Sequence, residues 1–225
     1  MKKAITQYGL DDYLTIEAQP NGEGDNTYPE PRQIHIRYES LFNAELSYIK
    51  PQIILEAGAR SLFEPTQKAT VNSIVATEFP NIRTSVAKVG ITTAAAAKTF
   101  LEKAFLLYEL FTTNACHKAE RKSRHLYDLE RMMDKAFAVN AIKDDDLWNT
   151  IHHHRVVFTH MRNVDYTPDI RDRIVLTPPA EHYQTWADDY SDMQSSMIYG
   201  DSVSFDKLIE RMKDLEVRFR DRNRT

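Results

Sequence analysis

The fourteen residues KTFLEKAFLLYELF, Lys98 to Phe111, divide the chain into two kinds of sequence. Thr99 and Glu102 have the spacing of a capping box, and Phe100, Ala104, Leu107 and Phe111 fall on one stripe of a 3.6-residue period. That pattern predicts a helix. Between Phe100 and Tyr108 the only charged residues are Glu102 and Lys103. A lysine so placed either snorkels its ammonium out of a nearly buried helix or aims it into a cavity where a phosphate or carboxylate sits. Snorkelling is the commoner outcome.

Upstream the period changes. YLTIEA (13–18) and QIHIRYES (33–40) alternate, QIILEAG (52–58) is a buried-type run, and TSVAKVGI (84–91) alternates again, so four short strands are predicted. QPNGEGDNTYPEP between the first two is rich in glycine and proline and reads as a loop. FEPTQKATVNSIVATEFP (63–80) has room for a short helix starting near Pro65. Downstream, helices are predicted over 117–138, 143–161, 180–199 and 203–221. The second opens at KDDDLW, where three aspartates suit a helix N-terminus, and Gly200 is the expected C-cap of the third. VDYTPDIRDRIVLTPP (164–179) interrupts as a loop with one short strand. The expectation is the α+β class: a small mixed sheet segment over 1–92 and a bundle of five helices over 93–225.

Composition narrows the function classes. With 42% hydrophobic and 28% charged residues in 225, the chain reads as globular rather than disordered. Lys and Arg number 29 against 33 Asp and Glu, so no broad basic surface for nucleic acid is expected, which leaves room for a local basic pocket. The single cysteine, Cys116, rules out an intrachain disulfide and a CxxC zinc site and fits a reducing compartment. Placed at a predicted helix start, it is expected to be inert. No apolar run approaches the ~20 residues of a membrane span, and MKK leads into no signal-peptide core, so a cytoplasmic location is expected.

The stretch RKSRHLYDLERM (121–132) concentrates charge. At helical spacing Arg121, Arg124, Asp128 and Arg131 lie near one face, His125 and Asp128 are i, i+3 neighbours, and Leu126, Leu129 and Met133 form the opposing stripe. The segment is either an ordinary amphipathic helix or one wall of a pocket. Forked arginine donors fit phosphate, and a carboxylate among them can hold a metal or orient a hydroxyl. An exposed Arg124–Asp128 pair contributes only ~0.3–0.5 kcal/mol. Glu56, near the end of QIILEAG, needs a partner if buried, either a metal or Arg60. His152 to His154 point ~100° apart on a helix, so one ion cannot collect all three, and no metal-binding residue is assigned. The arginines of RFRDRNRT (218–225) read as a frayed, solvated tail. No glycine-rich phosphate loop and no GxSxG elbow is present.

Four segments in order, YIKPQIILEAGARSLFEP (48–65), KTFLEKAFLLYELF, RKSRHLYDLERM and DDYSDMQSSMIYGDSVSFDKLIERMKDLE (188–216), resemble the nucleotidyl transferase AbiEii/AbiGii toxin family. The likeness spans about residues 33 to 220. It implies a polymerase-β-like nucleotidyltransferase core with a helical C-terminal region, acting in type IV toxin–antitoxin and phage-defence systems on RNA or protein acceptors. It implies Mg2+ and a nucleoside triphosphate as cofactors and an antitoxin as partner. By this resemblance Lys103 contacts nucleotide phosphates, Asp128 and Arg124 belong to a second catalytic motif, and Glu56 sits where such folds place a third carboxylate. Arg121 and His125, on the same segment, complete the expected nucleotide-binding set.

The sequence also departs from the family pattern. The Gly-Gly-Thr or Gly-Ser segment and the Asp-x-Asp pair are not found, ITTAAAAKTF replaces the usual Pro-Glu-Arg, and Tyr108 stands where histidine is frequent. The expectation is a truncated or split member that keeps the nucleotide-phosphate half, with the metal half lost or supplied by a complementing N-terminal chain, and no transfer unaided. The alternative is a non-catalytic helical module that binds a protein partner. Exposed apolar surface is expected around strands 33–38 and 52–56, with self-association as its consequence.

Overall fold

The computed structural model describes residues 2–7, 9, 12–18, 32–40, 50–57, 62, 64–81 and 88–222. Its elements group by contact into two units, one of residues 1–61 with 188–202 and one of residues 62–187 with 203–225. The architecture is α+β: small antiparallel sheets followed by a helical C-terminal region.

The first unit holds a short helix α1 (Lys2–Gln7), which the sequence reading did not anticipate, and strands β1 (Leu14–Ala18), β2 (Arg32–Tyr38) and β3 (Gln52–Ala57). The strands form an antiparallel sheet in the order β1-β2-β3, with Ile16 opposite Ile36 and Ile36 opposite Ile53. All three were expected; the loop expected over 19–31 lies outside the described residues. The buried reading of QIILEAG is corrected. Among the described residues β3 is an edge strand, and Ile53, Ile54 and Leu55 are 53%, 44% and 40% exposed. A continuous apolar run indicates burial on both faces only where the strand has neighbours on both sides. The exposed apolar surface expected at 52–56 is therefore present, whereas Ile34 and Ile36 in β2 are half-buried.

In the second unit β4 (Thr66–Val71) pairs antiparallel with β5 (Val89–Ala94), and α2 (Ile74–Glu78) lies between them in sequence. The helix expected to start near Pro65 therefore starts at Ile74. TQKATV is extended in β4, and the helix waits for Ser73, whose Oγ accepts from the Ala76 N–H at 2.9 Å. Of the strand expected over 84–91, residues 84–87 lie outside the described ones. Pairing runs to Ala94, through two threonines that favour extended backbone.

The helical region contains six α-helices among the described residues, against five expected: α3 (Ala96–Phe111), α4 (Ser123–Met132), α5 (Ala136–Lys143), α6 (Asp145–His154), α7 (Tyr183–Ser196) and α8 (Phe205–Arg220). The predicted helix 117–138 is divided because Lys135 is extended, with ψ 144°, between α4 and α5. The break leaves Asp134 to pair with Arg218 at 2.9 Å and with Arg211. α6 begins as the aspartates suggested: Asp144 Oδ1 accepts from the Leu147 N–H at 2.9 Å, and Asp145 and Asp146 occupy the first turn. It continues into a wider π-type turn, Arg155–Thr159. The segment 164–179 contains a 3-10 turn, Pro168–Arg173, and no strand. Gly200 is left-handed (φ 92°), but it stands four residues past the end of α7, so it is not that helix's C-cap.

α3 is the centre of this unit. It packs on α4, α5 and α6, and α4 packs in turn on α8. Phe100, Leu101, Phe105 and Leu107 are fully buried, each contributing roughly 1.5–3 kcal/mol through lost contact with water. An aromatic chain links the helices, with Phe105 4.5 Å from Trp148, Trp148 5.7 Å from Phe219, and Phe219 6.0 Å from Phe100, ring centre to ring centre. Cys116 lies in a 3-10 turn (Asn114–His117); it is buried, and burial raises its thiol pKa, which accords with an inert thiol. The arginines of 218–222 are not a solvated tail: Arg218 pairs with Asp214 at 2.7 Å, Arg220 donates to the Ile174 carbonyl at 3.0 Å, and Arg222 pairs with Asp145 at 2.7 Å. No described helix is long and apolar enough to cross a membrane.

Candidate functional site

Helix α3 is set by what precedes it. Ala95 is extended and its N–H donates to the Pro65 carbonyl at 3.1 Å, so β5 passes directly into a helix whose first turn is Ala96-Ala97-Lys98. The Thr99–Glu102 capping box is thereby corrected: Ala95 is the N-cap, with no side-chain hydrogen bond, and Thr99 already lies in the helix. Alanines start the helix early because they form it at the least cost in conformational entropy. The register brings Lys103 to α4.

There Lys103 Nζ lies 2.7 Å from Asp128 Oδ2 and 3.4 Å from His125 Nδ1. His125 and Asp128 are i, i+3 neighbours and present both groups to α3, while Leu126, Leu129 and Met133 on the opposite side are fully buried. The side chains of Lys103 and Asp128 are 22% and 39% exposed, so their ion pair contributes ~1 kcal/mol at most. His125 is held neutral. Burial, then the positive charges of Lys103 and Arg124, lower its pKa to about 4, and Asp128 opposes this only weakly.

The other expected residues are arranged differently. Arg124 sits on α4 and acts on His125 through its charge. Arg121 is not on the helix: its φ is 57°, and α4 starts two residues later. The expected Arg124–Asp128 pair gives way to the pair across helices with Lys103. Glu56 belongs to the first unit, is exposed on β3, and accepts from Gln33 Nε2 at 2.5 Å; Arg60, its suggested partner, is outside the described residues. The structure thus unites Lys103, His125 and Asp128, with the charge of Arg124 beside them.

One cluster was missed. Glu109, 3% exposed, is paired with Arg155 at 3.4 Å and accepts from the Tyr166 hydroxyl at 2.8 Å. Its pKa is raised by burial, which Arg155 offsets in part. Arg155 also donates to the Glu102 carbonyl at 3.0 Å, tying the π-type turn to α3. An acid inside the apolar run LLYELF was the available signal. Tyr108, on the same helix, is buried; its hydroxyl donates to the Asp165 carbonyl at 3.1 Å and accepts from Arg173 at 3.0 Å.

A groove of about 600 Å3 runs along α6, lined by Asp146, Asn149, Thr150, His153 and Phe158 among others. It does not include Lys103, His125 or Asp128 and offers an anion no lysine or arginine, so the chemistry places the candidate site at the α3–α4 pair instead. His152 donates its Nε2–H to the Tyr166 carbonyl at 2.9 Å, and His154 stacks on Phe158. Among the described residues no three His, Cys, Asp or Glu side chains are grouped to hold a metal ion. Asp128, already paired with an ammonium, does not by itself fit a magnesium site.

At this site an ammonium stands between a carboxylate and a neutral imidazole, with an arginine charge nearby. Charge-assisted donors of this kind are used by proteins to hold phosphate and carboxylate groups. A family model for the nucleotidyl transferase AbiEii toxin of type IV toxin–antitoxin systems matches residues 1–211, and the chain belongs to that family. Comparison with curated proteins and with solved structures gives no match.

Proposed function

We propose that the chain binds the phosphates of a nucleoside triphosphate at Lys103 and serves nucleotidyl transfer by holding the leaving pyrophosphate. The Lys103 ammonium, poised 2.7 Å from Asp128 between two helices of the buried core, carries this reading. A phosphate oxygen approaching Lys103 would replace or share the Asp128 contact, and Arg124 and Arg121 on the same segment would add charge as the leaving group becomes more negative. Glu56 has no part in this proposal, because its carboxylate is engaged by Gln33 on an exposed strand. Among the described residues no three His, Cys, Asp or Glu side chains group to hold magnesium, so none is assigned to it here.

Calorimetric titration of the full chain with each of the four nucleoside triphosphates, with EDTA present and with magnesium added, tests the proposal. Binding that survives EDTA and is lost in Lys103→Met is expected. Equal affinity in wild type and Lys103→Met refutes it.

A second reading, a surface that docks a protein partner such as an antitoxin, is favoured by one observation. Ile74, Val75 and Phe79 around α2 are 81%, 54% and 57% exposed, an unusual density of large apolar side chains in water. Ile74→Glu with Phe79→Ser should abolish capture of an antitoxin from the same operon while leaving triphosphate binding intact. The first reading then stands by itself if that capture is unaffected.

A further inference from the structure

We infer that His125 is a positioning residue for Lys103: its unprotonated Nδ1 accepts one ammonium N–H while Asp128 Oδ2 accepts a second, which leaves the third for an incoming phosphate oxygen. Only the last clause rests on the proposed function.

The geometry leaves little choice of tautomer. At 3.4 Å from Nζ, an Nδ1 that carried hydrogen would set two donors head-on, and an imidazolium would set two positive charges side by side. The proton therefore resides on Nε2. The contact is long for a hydrogen bond, so it fixes direction more than it adds affinity. Lysine has three rotatable donors on a flexible stem, and a lone carboxylate leaves the ammonium free to swing about one contact. A second acceptor one helical turn away removes that freedom. The charged groups around His125 are Lys103 on α3 and Lys122, Arg124 and Asp128 at and along α4. Three of these four are positive and disfavour an imidazolium, so the acceptor stays available through the neutral range. A histidine that merely filled space would not need its Nδ1 turned to an ammonium.

The full chain carries eight histidines, and 15N labelling with His125→Asn as the assignment control isolates this one. At pH 7 the expected His125 spectrum is that of an Nε2–H tautomer with a hydrogen-bonded Nδ1. In Lys103→Met the Nδ1 signal should move to that of an unbonded nitrogen and the titration midpoint should rise by about one pH unit or more, as expected on removing an adjacent positive charge. A proton on Nδ1, or a His125 titration that ignores Lys103, overturns the inference.

Binding of inorganic tripolyphosphate gives the second arm. His125→Asn, whose side-chain oxygen can occupy the Nδ1 position, should bind within threefold of wild type, and His125→Gln and His125→Leu at least tenfold more weakly. Equal affinities for all three variants also overturn it. If wild type binds no tripolyphosphate, the proposed function fails, and the spectra of wild type and Lys103→Met still decide the positioning role.

Discussion

Lowering the pH should destabilise this protein through His125, and by a calculable amount. The imidazole titrates near 6.5 in the unfolded chain and at about 4 in the folded one, where burial and the charges of Lys103 and Arg124 oppose protonation. Because the folded pKa is the lower, the unfolded state binds the proton first, and stability falls as pH drops from the unfolded value towards the folded one. At pH 7.5 the group is neutral in both states and the effect vanishes. At pH 4.5 the unfolded state is favoured by ~2.5 kcal/mol, approaching ~3.4 kcal/mol below pH 4, on the equivalence of one pKa unit to about 1.36 kcal/mol. Urea unfolding of wild type and His125→Asn at both pH values isolates this contribution, since every other titrating group is common to the two proteins. Wild type should lose ~2–3 kcal/mol more than the variant between pH 7.5 and 4.5. Parallel losses would show that His125 is not held neutral by its surroundings, and the account of the site's electrostatics would fail with it.

The other predictions concern the same helices. Asp128→Asn should tighten tripolyphosphate binding several-fold while lowering any nucleotide transfer, because the ammonium loses a competing counter-charge worth ~1 kcal/mol; calorimetry showing weaker binding would contradict this. Arg155→Met leaves the Glu109 carboxylate buried without its cation and should cost ~3–5 kcal/mol at pH 8 by denaturant unfolding. The raised pKa of Glu109 sets the sign of the pH effect: the loss should shrink as the pH is lowered and the buried acid takes up a proton, and a loss independent of pH would refute it. Trp186→Phe removes the 2.8 Å bond from the indole Nε1–H to the Cys116 carbonyl and should destabilise by ~1–3 kcal/mol, with faster labelling of the Cys116 thiol by a mild thiol reagent as the local readout.

Much of the architecture was legible because periodicity is a local property. The three strands of the first sheet, the aspartates at the start of α6, the buried stripe of Leu126, Leu129 and Met133, and the extent of α8 all follow from spacing and capping chemistry that neighbouring residues supply. The errors came where a distant partner decides. QIILEAG reads as buried, yet among the described residues β3 has a neighbour on one side only, which no local pattern records. Lys135 breaks a helix that its own sequence would continue, and Asp134 at that break is held by arginines from α8, 77 and 84 residues away. The terminal arginines look solvated until the carboxylates and carbonyls they reach are placed.

The site shows the same division at higher resolution. Residue types announced Lys103 and Asp128 separately, and helical spacing announced that His125 and Asp128 share a face. Spacing also suggested an Arg124–Asp128 pair, the neighbour available within one helix. In the structure Lys103, a half-buried residue of α3, takes the Asp128 carboxylate across the interface, while Arg124 remains at a half-buried position on α4. Of the two alternatives its sequence offered, snorkelling into water and reaching a phosphate or carboxylate, the ion pair with Asp128 matches the second in its carboxylate partner. It is held by one charge and one lone pair. On the proposed reading, the carboxylate that orients the ammonium also competes for its charge with a phosphate oxygen that takes the remaining N–H.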